Sequence, residues 1–530
     1  MLILNCEQTR RLEQSAVENG CTYLGLMEKA GREAASFIQQ TLSQFRKKTV
    51  ILCGNGNNGG DGFVVARRLA GWSGDILVVL MNGEPKTGDA LQMYQKARKT
   101  GGIRFADYPG EGLEKELQEA DLIVDGIYGI GFHGAVKEEY LPVIRWVNQS
   151  KAKVVSLDLP SGISCDFGAV EGEAVQADYT VTFSALKLSQ VQYPAMEYCG
   201  EVFTAGVGVP EKVYKESAFE AKTTGLWALK EILAPRKLNT NKGSYGSLLC
   251  LCGSRGMAGA AVMSAQAASR SGVGLIDLAL PESIYPIAAG AVKEAVFTLL
   301  PEESGQISLP EAEAMLSQKL EGKTTACLIG CGLGTSRAAQ SLVEFLLARS
   351  RAPMVIDADG LNAVAAKPEM LEKAQAPLVL TPHPGEMARL LGTSVEDVQR
   401  HRLEYAKRFA AEHRAVMVLK GNKTVVACPD GRLFINTTGN PGMAKAGSGD
   451  VLAGIIGSFL AQGLSPEQAA IGGVYLHGLA GDRCAQGLSQ IGMTAPDLVK
   501  ELPALFLELV AKKPEENLFF CEKGIDTSLT

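Results

Sequence analysis

Zinc-site spacing is absent from this sequence: its twelve cysteines are scattered, and none stands in a CxxC pair. Several lie in apolar strand-like runs such as SLLCLCGS (Cys250 and Cys252), so they read as reduced, mostly buried small apolar residues. Aromatic side chains make up only 6% of the 530 residues, and no apolar run reaches the length of a membrane span. The N-terminal MLILNCEQTRRLEQ has too short an apolar run for a signal-peptide core, which points to the cytoplasm. A surplus of either charge is missing too. The 52 basic and 58 acidic side chains leave −6, so no net field draws the molecule to nucleic acid or to a membrane surface. Any anionic ligand must then be held by a local device.

Glycine, in contrast, is plentiful at 59 residues, as expected of an α/β protein with many strand-to-helix turns. The length exceeds one ordinary core. TRRLEQSAVENG and LGLMEKAGREAASFIQQTL read as two helices. Apolar strand patterns follow in KTVILCG, DILVVLM, DLIVDGIYG and KVVSLDLPSG, with the helix-like GGDGFVVARRLAGW between the first two. This alternation predicts βαβ units in a Rossmann-like, doubly wound sheet over residues 1–215. Residues 216–240 loosen into a mixed-charge connection. A second α/β alternation over 241–511 begins with SLLCLCGS, and a polar tail covers 512–530. The two halves do not align with each other.

Ligands of doubly wound sheets bind beyond the carboxyl ends of strands, where NGNNGGD, DGIYGIG and DLPSG all fall. The turn Asn57-Asn58-Gly59-Gly60-Asp61 can offer backbone amides at a helix N-terminus to an anion, although a tight turn without a ligand has the same look. Oxygen donors from Asn58, Asp125 and Ser161 are a set that could hold an alkali cation, and Asp158 remains as an acid/base candidate. Together these three loops resemble those of the NAD(P)H-hydrate epimerases, over about residues 1–215. The resemblance implies a potassium ion on Asn58, Asp125 and Ser161. It places the substrate against residues 57–61, against the loop Gly129, Ile130, Gly131, Phe132, His133, Gly134 and Ala135, against Tyr140, and at Asp158, the implied proton-transfer residue. Ile130 stands where that loop more often has threonine. Lys187 reads equally as a partner for substrate phosphate or as a solvated surface charge, and His133 as a surface residue in a polar turn.

The later stretch NTTGNPGMAKAGSGDVLAG differs in chemistry. A helix N-terminus that receives a phosphoryl group beside a carboxylate, Asp450, can deprotonate an attacking hydroxyl. The modest reading makes Asp450 only the helix N-cap. LKGNKT, GCGLGTS, VIDADGLN and TPHPGE accompany it. With NKGSYGSLLCLCGSRGMAGAAVMSAQAASRSGVGL, these motifs resemble the NAD(P)H-hydrate dehydratases of the ribokinase-like superfamily, over roughly residues 225–505. That implies a C-terminal ribokinase-like α/β domain. It assigns Lys420, Gly421, Asn422, Lys423, Thr424 and Gly449 to ADP with magnesium, and Ala260, Gly334, His383 and Asp450 to the hydrated substrate. Lys445 occupies a position where a small residue is frequent.

The combined expectation is a repair enzyme that takes NADHX, NADPHX and ADP, has no nucleic-acid or membrane partner, and forms a homo-oligomer. Two alternatives stand beside it. The second domain could be a true small-molecule kinase, and the first could be a non-catalytic nucleotide-binding or interaction module.

Overall fold

The computed structural model describes residues 1–217, 219, 221–303, 306–511 and 525–526. The chain forms two compact units that meet in sequence between Lys222 and Thr223. The expected connection at 216–240 thus contains the junction, but part of it is core. Leu229 and Leu233 are buried in the second unit, because their apolar side chains find a better environment there than in water. Of the expected tail, residues 512–524 and 527–530 lie outside the described residues. Among the described residues no helix is long and apolar enough to cross a membrane.

Eight strands form the first sheet: the short antiparallel Ile525–Asp526 at one edge, then seven parallel strands in the order Glu201–Ala205, Tyr179–Phe183, Lys153–Leu157, Leu122–Gly126, Lys48–Cys53, Asp75–Leu80 and Ile103–Asp107. Alternation along Lys48–Cys53 sends Ile51 and Cys53 to one core and Val50 and Leu52 to the other, so both faces are covered. The chain first builds outward from Lys48–Cys53 on one side, then returns and builds from Leu122–Gly126 on the other. That reversal opens a crevice at the carboxyl ends of these two neighbours.

The second unit repeats the principle with different strands. Its order is Val296–Leu300, Leu275–Pro281, Ser247–Leu251, Ala326–Ile329, Met354–Ile356, Leu378–Leu380 and Val416–Leu419, all parallel. The antiparallel strands Val425–Ala427 and Leu433–Ile435 complete it. Neither Val296–Leu300 nor this hairpin is evident in the sequence pattern. Here the order reverses between Ser247–Leu251 and Ala326–Ile329. Helix Ser448–Ala461 is buried on nearly every side, as its run of apolar residues requires.

Candidate active sites

The first crevice is a cavity of about 580 Å³ lined by parts of all three predicted loops. Helix Asn57–Leu69 starts directly after the strand ending at Cys53, with Gly56 as its N-cap. Asn57, Asn58 and Asp61 line the cavity. Gly59 and Gly60 do not; they let the helix approach. A Cβ on Gly59 would lie 1.8 Å from the Gly54 carbonyl oxygen, and one on Gly60 would lie 2.6 Å from Met27 Sδ. Their contribution is therefore close packing that seats the helix N-terminus, whose first amides lack partners within the helix.

Asn58, Asp125 and Ser161, far apart in sequence, are joined by one chain of hydrogen bonds. Asn58 Nδ2 donates to the Tyr128 carbonyl at 2.6 Å, Tyr128 N donates to Ser161 Oγ at 3.0 Å, and Ser161 Oγ donates to Asp125 Oδ1 at 2.6 Å. Asp125 also accepts from Ser161 N at 2.8 Å and Ser156 Oγ at 3.0 Å. Burial raises the Asp125 pKa above the ordinary carboxylate range, and these hydrogen bonds pull the other way. Among the described residues Asn58 Oδ1 is buried without a hydrogen-bond partner. An unsatisfied carbonyl oxygen beside a fully buried carboxylate is a donor set that suits a weakly hydrated monovalent cation.

Asp158 follows the strand Lys153–Leu157 with φ of +63°, a conformation that costs an aspartate of order 1–3 kcal/mol. Its backbone is held there by Asp158 N donating to the Val181 carbonyl at 2.8 Å and by Gln190 Nε2 donating to the Asp158 carbonyl at 2.7 Å. Three donors converge on Oδ1: Thr182 Oγ1 at 3.0 Å, the Phe183 amide at 3.1 Å, and Lys187 Nζ. Lys187 is fully buried, and it also donates to the Phe183 carbonyl at 2.8 Å and to Thr182 Oγ1 at 2.9 Å. Both sequence readings of Lys187 are thereby corrected. The ammonium is no surface charge, and its hydrogen bonds are spent on Asp158 and on carbonyls, because a buried cation must be paired.

The loop from Gly129 to Ala135 reaches the cavity through Gly129, Ile130, Gly131, Phe132, His133 and Ala135. Gly134 is not among the lining residues, and its φ of +77° makes it the turn of that loop. His133 is exposed at the rim. Tyr140 does not line the cavity. Its ring packs in the core behind the loop, 6.2 Å from Tyr128, and its hydroxyl accepts from Asn82 Nδ2 at 2.6 Å. The large apolar ring, only 5% exposed, is better satisfied there than at the cavity. Arg10 and Glu13 of helix Cys6–Glu18 also line the cavity, without any motif in the sequence to announce them.

In the second unit, Gly447 at φ +91° is the N-cap of helix Ser448–Ala461, which makes Asp450 the third helical residue rather than the cap. Its ligand oxygen, a carboxylate oxygen of Asp357 and Cys331 Sγ lie within 4.8 Å of one another. Burial first, then the Asp357 charge, pushes the Asp450 carboxyl up to about 6, against the pull of Cys331 and Lys420. Lys420 Nζ donates to Asp357 Oδ1 at 2.6 Å, and Thr381 Oγ1 donates to the same oxygen at 2.8 Å. Gly449 lies beside this pair: a Cβ there would be 3.3 Å from Lys420 Nζ. With Lys420 already engaging Asp357, a magnesium ion would depend on nucleotide phosphates as well as on these carboxylates.

The remaining predicted residues surround this centre unevenly. Thr424 Oγ1 donates to the Gly421 carbonyl at 3.0 Å, closing the 420–424 turn, and Lys423 Nζ reaches the Thr437 carbonyl at 3.5 Å. Buried Arg402, which the sequence reading missed, braces this turn by donating to the carbonyls of Leu419 and Lys420 at 3.1 and 3.3 Å. Asn422 belongs to the same turn, between Gly421 and Lys423. Gly334 N donates to Asp359 Oδ2 at 2.8 Å, and Ala260 sits where a Cβ on Gly332 would be 2.8 Å away. His383 caps helix Pro384–Leu391, its Nδ1 accepting from Gly385 N at 2.9 Å, while Glu386 Oε2 accepts from His383 N at 2.8 Å. Lys445 Nζ donates to the carbonyls of Ile491, at 2.6 Å, and Met493, so its charge caps the end of helix Pro466–Gly492. His477, also unpredicted, lies with Nε2 3.3 Å from Ser448 Oγ at the helix start, and burial pulls it down to about 4.

Two family models match the chain: "YjeF-related protein N-terminus" over residues 24–189 and "NAD(P)H-hydrate dehydratase" over 248–504. The bifunctional NAD(P)H-hydrate repair enzyme of Moorella thermoacetica is 41% identical, over 91% of this chain and 92% of its own. That of Thermofilum pendens is 38% identical, over 95% and 96%. A solved structure of the ADP/ATP-dependent NAD(P)H-hydrate dehydratase from Bacillus subtilis, co-crystallized with ATP/Mg2+, has 33% identity and a TM-score of 0.47, covering 54% of this chain and 99% of that one. With identity of this level sustained across both units, the chain belongs to the bifunctional NAD(P)H-hydrate repair enzymes.

Proposed function

We propose that the first site interconverts the R and S epimers of NADHX and NADPHX, and that the second dehydrates the S epimer to NAD(P)H at the expense of ADP. The observation that carries this division is the contrast between the two carboxylates. Asp158 is gripped on one oxygen by Lys187 and two further donors at the wall of a cavity. Asp450 stands in the first turn of a helix with its carboxyl pushed up to about 6. The raised pKa of Asp450 makes its carboxylate a stronger base, which suits a general base operating near neutrality. It takes the proton of the substrate hydroxyl as that oxygen attacks the β-phosphorus of ADP and AMP departs. The amides at the start of helix Ser448–Ala461 receive the transferring phosphoryl group. Loss of phosphate together with a proton from the neighbouring carbon then restores the dihydronicotinamide double bond. Phosphate is a better leaving group than hydroxide, which is the reason for spending a nucleotide.

Lys420 to Thr424 and Gly449 are the proposed nucleotide contacts, with magnesium carried on the phosphates, and Ala260, Gly334 and His383 the proposed contacts for the hydrate. In the first site Asn58, Asp125 and Ser161 would hold a potassium ion. Its chemistry there is charge neutralisation of buried Asp125 and fixing of the loop that begins at Tyr128. The substrate would be held by Asn57 to Asp61 and by the loop from Gly129 to Ala135, with backbone donors serving at Ile130. An epimer mixture incubated with pure protein, magnesium, and ADP or ATP tests the assignment. Complete conversion to NAD(P)H with ADP supports both sites, recovery of only one epimer refutes the epimerase, and a stable phosphorylated product would make the second unit a kinase. Exchange of potassium for a large organic cation should slow epimerisation and leave dehydration unchanged.

A further inference from the structure

The first cavity contains an ionisable side chain that the Asp158 and Lys187 pair leaves unused. Helix Cys6–Glu18 is fixed at its start by a reciprocal cap, Gln8 N to Asn5 Oδ1 at 2.7 Å and Asn5 N to Gln8 Oε1 at 3.0 Å. Thr9, Leu12 and Ala16 are its buried stripe, and Arg10 and Glu13, three residues apart, line the cavity. The charged groups that act on Glu13 are Asp158, Lys187 and Arg10, while Asp61 in turn feels Glu13. Among the described residues no hydrogen bond or ion pair engages the Glu13 carboxyl group, so it can turn toward a ligand. Burial, then the charge of Asp158, pushes its pKa up to about 7 despite Lys187 and Arg10. Near neutrality both its forms are populated, the condition for passing a proton in either direction.

Water adds to an enamine at the carbon bonded to nitrogen, so the hydrate carries its hydroxyl on a carbon next to the ring nitrogen. The route that uses two proton-transfer groups inverts that carbon by letting the hydroxyl depart from one face and water arrive on the other. We propose that Glu13 is the second proton-transfer group of the first site, acting on the substrate hydroxyl from helix Cys6–Glu18, with Asp158 the other such group lining the same cavity. This rests on the epimerase reading of that site. Protonated Glu13 gives its proton to the hydroxyl, the C–O bond breaks with its electrons leaving as water, and the nitrogen lone pair closes a C=N bond. Water then adds to the other face, its oxygen forming the new C–O bond, and Asp158 takes the surplus proton. Solvent in the open cavity returns that proton from Asp158 to Glu13, and no oxidant or reductant is consumed.

The test compares the unaltered chain with Glu13→Gln and Glu13→Asp by following epimer interconversion with chromatographic resolution, the uncatalysed rate subtracted. Since the protonated form donates, the wild-type rate should fall as pH rises through about 7. Glu13→Gln should lose roughly 10²-fold or more in kcat with KM for the hydrate little changed, and its residual rate should lack that inflection. Glu13→Asp, which keeps a carboxyl group, should recover part of the rate. ADP-dependent dehydration of the S epimer by the same preparations reports that the second unit is intact, and an unchanged unfolding transition of the first unit in denaturant reports the same for the unit that carries Glu13. Wild-type kcat in Glu13→Gln, or a rise in KM alone, would overturn the assignment of Glu13 and leave the epimerase reading standing. Failure of the unaltered chain to interconvert the epimers would overturn both.

Discussion

Both sites lie at the point where a parallel sheet reverses its strand order, both are entered by a glycine-rich loop and helix, and both pair a lysine with a buried aspartate. The difference is which aspartate the lysine holds. In the first site Lys187 holds Asp158 itself, so the proposed acid/base group carries its cation directly. In the second, Lys420 holds Asp357, and burial of Asp450 followed by the Asp357 charge keeps the Asp450 pKa raised against the pull of Cys331 and Lys420. Two similar sets of parts thus produce a pinned carboxylate and a poised one.

The comparison is broken most severely at Asp450. Asp450→Asn should reduce dehydration by about 10²- to 10⁴-fold, the usual worth of a general base, while epimerisation continues, as product assays on separate epimers would show. Lys187→Met leaves Asp158 buried without its cation and should cost the first unit about 3–5 kcal/mol, visible as an earlier unfolding transition in denaturant. Asp158→Asn in that background should restore part of the loss, because the uncompensated charge is then removed as well. The poised carboxylate makes a pH prediction. Only ionised Asp450 accepts a proton, so kcat for dehydration should rise with pH, be half-maximal near 6, and level off above it. Lys420→Met removes a cation that favours that ionised form, and the rising limb should move to higher pH in the same profile. The smallest effect belongs to His133→Ala, which truncates an exposed rim residue and should change epimerisation by about twofold at most.

Much of the fold was legible because parallel sheets buried on both faces write themselves as apolar runs ending in glycine, as in KTVILCG and SLLCLCGS. The strands missed, Val296–Leu300 and the hairpin of Val425–Ala427 with Leu433–Ile435, are short, and they lie beyond the glycine-rich loops that mark the others. Asn58, Asp125 and Ser161 could be grouped in advance because each lies at the end of a neighbouring strand, in the loop after one or at the start of the helix that follows. Tyr140 could not be placed, since one aromatic near a loop can serve equally as lining or as the core behind it. Arg402 and His477 were invisible for a related reason. Each acts on a turn many residues away, from a helix whose sequence shows only ordinary periodicity.

The order of residues alone determined two α/β units, their glycine-rich loops and the carboxylates at strand and helix ends, because hydrophobic periodicity and turn chemistry act over neighbouring positions. Tertiary structure alone decided which charge meets which: Lys187 on Asp158, Lys420 on Asp357, Lys445 on carbonyls at a helix end, and Glu13 beside the first cavity. Coulombic and desolvation energies depend on distance and burial in space, and neither can be read from separation along the chain.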